Sequence, residues 1–179
     1  MRASPAEYLR LDLRTHDLLR EVPLYDVSIV DDIRALESAA APSRVANAVY
    51  DLRHFLGRVF GWDHVQIRPE DSLLSRLSER DRRDSEITPG TPAGSFLLLY
   101  QFPGEALSET RNATVHGYVC TALAPTASGY RLYWGIYVIR VSWLTRPYLI
   151  VIEPFRRILY PAMLRRIRRA WLVAYGATA

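Results

Sequence analysis

The chain has 179 residues, 49% of them hydrophobic and 23% charged, which suits one domain with a core of its own and argues against a disordered segment. Its single cysteine, Cys120, excludes an internal disulfide and points to a reducing compartment. The formal net charge is +4, and all 23 basic residues are arginine, but the charge is uneven: Thr145 onward carries seven arginines and one acid, +6 there against −2 for the remainder.

The N-terminus, MRASPAEYLRLDLRTHDLL, mixes charged and apolar residues and has no apolar run of signal-peptide type, so a cytoplasmic location is expected. Residues 1–24 read as an N-terminal extension and 25–175 as a single domain. Asp26 to Val30, DVSIV, is predicted as a short strand. Asp31 or Asp32 can cap a first short helix, which Pro42 ends, and Ser43 can cap a second. In that second helix Val45, Val49, Leu52, Leu56 and Val59 keep to one face, and Gly61 stops it. Residues 63–68 suggest another short strand. PEDSLLSRLSERDRRDSE is helical in pattern through Leu73, Leu74 and Leu77 and then becomes a dense charge mixture. TPGTPAG, residues 88–94, reads as a linker.

Beyond the linker the pattern turns to strands. SFLLLYQF is strongly apolar and Pro103-Gly104 makes a turn. EALSETRN runs on toward ATVHGYVCTALA, with a bulge or break expected near Asn112 because an unbroken strand of that length is unusual. PTASG is a hairpin connection, and YRLYWGIYVIRVSW is the longest strand, rich in aromatic and β-branched residues. TRPYLIVIEPFRRILYPAMLRRIRRAWLVAY then reads as a long helix, which Pro154 and Pro161 kink or divide. Leu149, Ile152, Phe155, Leu159, Met163, Ile167 and Trp171 mark its apolar side. Arg140, Arg146 and Pro147 interrupt the apolar stretch around residue 140, which argues against a membrane span. No phosphate loop, metal-ligand spacing or nucleophile elbow is present, so neither a cofactor nor a metal is expected.

This order of elements is an α+β layout. RNATVHGYV, GYRLYWGIYV and PFRRILYPAMLRRIRRAW resemble a bacterial domain of unknown function, number two-eight-six-seven, grouped with the START-like, helix-grip (polyketide cyclase-like) superfamily. The resemblance spans Tyr25 to Trp171. It implies a curved antiparallel β-sheet wrapped around a long C-terminal helix, with two helices inserted after the first strand. It also implies an apolar or amphipathic small molecule bound between sheet and helix. Some superfamily members are cyclases or hydrolases, but the family itself brings no activity.

The stretch RNATVHGYVC alternates strictly, as a strand with two faces does. Its even face carries Asn112, Thr114, His116, Tyr118 and Cys120, an unusual set for a solvent-washed face. If residue 124 faces 130 across PTASG, then Cys120 faces Trp134, Tyr118 faces Ile136, His116 faces Val138 and Thr114 faces Arg140. Apolar groups with a few converging polar ones are what a small-molecule site presents. The candidate ligand-binding residues are therefore Asn112, Thr114, His116, Tyr118, Trp134 and Arg140. The odd face, with Gly117 and Gly135, suits close packing against a helix or a second subunit. A one-residue slip in the pairing would break this assignment.

Three functions compete. One is a domain that binds an apolar or amphipathic small molecule. A second is a cyclase, isomerase or hydrolase that uses His116 as acid/base, with Arg140 or Tyr118 steadying an enolate. The third is an interaction module: a homodimer through the odd-numbered face, or peripheral membrane contact through the arginine-rich C-terminal helix. Nucleic acid is not expected as a partner, because the arginine side lacks interleaved aromatics for base stacking.

Overall fold

The computed structural model describes residues 4–33, 71–93, 96–111, 115–127, 129–143, 145–150, 153 and 164. Its centre is a six-stranded sheet. The strands are β1 (Leu24–Ile33), β2 (Thr91–Ala93), β3 (Phe96–Phe102), β4 (Glu105–Arg111), β5 (Val115–Thr126) and β6 (Gly129–Arg140). Their order across the sheet is β1-β6-β5-β4-β3-β2, and every neighbouring pair is antiparallel. β2 to β6 form a meander, and β1 returns to pair with β6.

Tight reversals set this path. Gly104 takes a positive φ of 82° between β3 and β4, a conformation glycine adopts without steric cost. The break expected near Asn112 is a full reversal, since β4 and β5 lie side by side with Arg111 opposite His116. The stretch expected as a linker contributes β2, which pairs with β3 at the sheet edge.

The main core lies on one face of the sheet. Val27 and Ile29 of β1, Tyr133 and Tyr137 of β6, Tyr118, Cys120 and Ala122 of β5, Leu107 of β4 and Tyr100 of β3 are all buried there. Short helical pieces supply the cover: α1 (Pro5–Tyr8), α2 (Arg14–Leu18) and a 3-10 turn (Leu73–Arg76). They bring Tyr8, Leu19, Leu73 and Leu77 into the same cluster. Helices this short are unstable alone, so packing and capping must hold them. Glu105 caps α2 from across the core: its carboxylate accepts from Arg14 N at 2.9 Å and from Thr15 N at 2.8 Å. The segment expected as one helix divides at Leu77. After it, α3 (Glu79–Asp84) starts with a reciprocal Ser78–Asp81 capping box. Arg14 then grips Asp81 with two parallel bonds, Nε–Oδ1 at 3.0 Å and Nη2–Oδ2 at 2.9 Å, and ties α2 to α3.

The α+β layout holds, but the architecture of a curved sheet wrapped around a long helix does not. Among the described residues β1 and β2 are the outermost strands of the sheet, and it is not strongly curled. Among the described residues no helix exceeds six residues. Among the described residues the core face is covered by short N-terminal helices and the 71–84 segment, which pack with Tyr100, Tyr118, Tyr133 and Tyr137 of the sheet. The two helices expected after the first strand, and most of the long C-terminal helix, lie outside the described residues. Of the C-terminal segment, residues 145–150, Glu153 and Leu164 are helical, and Leu164 packs with Val30 and Leu132 in a small cluster separate from the main core.

Candidate functional site

The register of β5 against β6 decides which side chains meet. Pairing extends through Pro125–Tyr130 to Thr126–Gly129, which leaves only positions 127 and 128 between the strands. Ala124 therefore faces Arg131, one residue later than the sequence suggested. A strand slipped by one residue presents its other face. Tyr118 stands opposite Tyr137, Cys120 opposite Gly135, and His116 opposite Ile139.

The consequence for the predicted residues is direct. His116 and Tyr118 share the core face, with ring centroids 4.9 Å apart. Trp134 and Arg140 sit on the opposite face of β6, so neither joins them. Asn112 and Thr114 lie outside the described residues. Gly135, assigned to the odd face, is on the core face, where Tyr8 lies directly over it.

The strongest polar constellation on the core face is built around Glu109, which is fully buried. Its Oε1 lies 2.6 Å from His116 Nε2, and its Oε2 accepts from the Ser72 hydroxyl at 2.5 Å. Leu73 N approaches Oε1 at 3.4 Å. Ser72 also accepts from Leu74 N, so one hydroxyl caps the 3-10 turn and reaches the carboxylate. Burial pushes the Tyr118 phenol up, and the neighbouring Glu109 charge adds to that rise. Arg111 faces His116 across β4 and β5 and pairs with Asp71.

Glu109 is the residue the sequence reading missed. Its carboxylate fixes the imidazole's orientation and engages one ring nitrogen, leaving Nδ1 as the second polar atom of the ring. The signal that could have found it is the alternation of EALSETR, which puts Glu105, Leu107, Glu109 and Arg111 on one face. Cross-strand pairing then places Arg111 beside His116.

A second network is centred on Glu105, which is half-buried. The Thr15 hydroxyl and the Tyr100 hydroxyl both donate to Glu105 Oε1, each at 2.6 Å, and Thr15 Oγ1 lies 3.2 Å from Cys120 Sγ. Burial pushes the Cys120 thiol up to about 12, which keeps it protonated and inert. This network joins α2 to β3, β4 and β5, with Thr15, Tyr100 and Cys120 fully buried.

The family described as Protein of unknown function (DUF2867) matches residues 19–163. The chain belongs to that family. No curated protein and no solved structure matches it. In this DUF2867 chain Ser72, Glu109, His116 and Tyr118 all fall within the matched stretch, whereas Tyr8 and Thr15, which complete the core, precede it. Among the described residues of the DUF2867 chain, no helix is long and apolar enough to cross a membrane.

Proposed function

We propose that this DUF2867 domain binds an amphipathic small molecule, whose polar end is received at the His116 end of the sheet. The observation that carries the reading is the fully buried Glu109 carboxylate bonded to His116 Nε2. Polar side chains withdrawn from water in this way cost free energy unless they are hydrogen-bonded, and apolar residues of similar size would fill the core without that cost. A few polar groups converging in a mainly apolar setting are what a small-molecule site presents. The centre of the core face is filled by Tyr8, Tyr100 and Tyr137, so the reading puts the ligand at the strand ends, near His116 and Arg111. Arg111, positioned there by its ion pair with Asp71, has further guanidinium donors that suit a carboxylate or phenolate head group.

A second reading is proton transfer to or from such a ligand by His116, as a cyclase, isomerase or hydrolase would need. The 2.6 Å contact favours it, because Glu109 orients the imidazole as a base requires. One experiment addresses both. The purified full chain is extracted with organic solvent and any retained molecule is identified by mass spectrometry. The identified class is then titrated against the wild type, His116→Ala and Arg111→Gln. Binding predicts that each variant weakens affinity by roughly ten- to hundredfold, the weight of one charge-assisted hydrogen bond. Loss of turnover with affinity intact in His116→Ala would establish the second reading. No retained molecule, and no thermal shift with a panel of amphipathic acids, would sink both.

A further inference from the structure

The turn that follows β6 is unlike the rest of the described surface. Trp143 is 81% exposed and Ile150 is 74% exposed. Single exposed apolar residues are common and need no explanation. Here, however, the exposure is held in place. The buried Thr145 hydroxyl oxygen accepts from Val141 N and from Ser142 N, each at 3.3 Å, and Thr145 N donates to Ser142 O at 3.2 Å. Those bonds lock the turn and fix Trp143 on its outer side.

Charge completes the pattern. Arg140 and Arg146 flank Trp143, and both are exposed. Within the helical residues 145–150 the exposed positions are Arg146, Pro147 and Ile150, spaced as one helix face. From Thr110 to the C-terminus the sequence has one acid, Glu153, and its carboxylate accepts from the Tyr25 hydroxyl at 3.4 Å. An outward tryptophan between arginines, with an aliphatic side chain on the adjoining helix face, matches the interface of an anionic bilayer. The indole sits at head-group depth and the guanidinium groups meet phosphates. A two-fold contact between copies at this turn would bring two arginine-bearing patches of the same sign together, and like-charge repulsion disfavours self-association there.

We infer that the Trp143 turn and the helix face of Arg146 and Ile150 dock on anionic lipid surfaces. The inference is independent of the ligand proposed above. The test is co-sedimentation of the full chain with vesicles of phosphatidylcholine alone and of phosphatidylcholine mixed with phosphatidylglycerol. Binding is expected only to the mixed vesicles, weakening as salt rises. Trp143→Ala should reduce it by about tenfold, and Arg140→Glu combined with Arg146→Glu by at least as much. Indole emission should shift to the blue on binding in the wild type and not in Trp143→Phe. Because Trp143 is exposed, its variants should keep the wild-type unfolding midpoint, so lost binding reads as lost docking. The inference is overturned if the wild type ignores the mixed vesicles at low salt. It is also overturned if Trp143→Ala binds as the wild type does, or if the wild type is a dimer or nucleic-acid binder that Trp143→Ala abolishes without a vesicle effect.

Discussion

A Cβ at Gly135 would stand 2.5 Å from the Tyr8 hydroxyl and 2.6 Å from its Cζ, and Tyr8 is fully buried with the Tyr133 and Tyr137 rings around it. Neither side can give way cheaply, because β6 is paired on both edges and the tyrosine ring is hemmed in. Gly135→Ala should therefore destabilise the domain by about 1–3 kcal/mol, the usual cost of overpacking a filled core. The measurement is the denaturant midpoint. Tyr8→Phe should fail to repair it, since the ring carbon remains in the way. A neutral Gly135→Ala would show that α1 is not held over β6 as described. At this scale the sequence is a partial guide. The odd company of His116, Tyr118 and Cys120 on one strand face was legible, because alternation needs no partner strand to be read. Glu109 was not, because its contact with His116 depends on how β4 turns into β5. Trp134 and Arg140 were placed on the wrong face by a single step of register.

The helical pieces are too short to persist alone, so the links between them matter more than their own hydrogen bonds. The Arg14–Asp81 fork is the clearest of these links. Burial alone would raise the Asp81 carboxyl, but the Arg14 guanidinium and the Ser78 bonds outweigh it and hold Asp81 below its ordinary value. A carboxyl lowered in the fold stabilises above its unfolded value, near about 4, and that contribution is lost as pH falls through the folded value. The stability gap between the wild type and Asp81→Asn should thus be widest near neutrality and close as pH drops below about 4. Urea unfolding across that range measures it, and a gap that persists in acid would rule the fork out as its cause. Element by element, the strands were legible from apolar alternation and from turn residues such as Gly104. β2 was hidden in a Pro/Gly stretch that reads as linker, because an edge strand of three residues leaves almost no periodic signal. The short N-terminal helices were equally hidden. Their stability comes from Tyr8, from Glu105 and from Asp81, all supplied by packing at a distance and none visible in a local window. The long C-terminal helix was expected from periodicity alone, which cannot show whether a sheet grips it.

Across the whole molecule, the core is unusually rich in tyrosine hydroxyls kept from water. Burial pushes the phenols of Tyr8, Tyr100 and Tyr118 up, and that of Tyr137 up to about 12. A phenol raised in the fold contributes stability that is fully present below its unfolded value of about 10 and is lost as pH rises past it. Alkaline unfolding should accordingly be cooperative, with tyrosinate absorbance from these residues appearing together with the loss of β-sheet circular dichroism. A smooth tyrosinate titration that leaves the sheet intact would contradict the packing. The strand order carries a further consequence, in time rather than in space. β2, β3, β4 and β5 each pair with the strand next along the chain, whereas β1 must find β6, with Leu24 opposite Tyr137 across most of the sequence. Closing so long a loop is slow relative to forming adjacent hairpins. The meander can assemble first, and the β1–β6 seam, although β1 is made early during synthesis, waits for the strand it pairs with to be made. Until that seam closes, the flank of β6 that will carry Tyr133, Gly135 and Tyr137 against β1 has no neighbour, and the nascent chain passes through a stage in which its longest hairpin offers a bare edge.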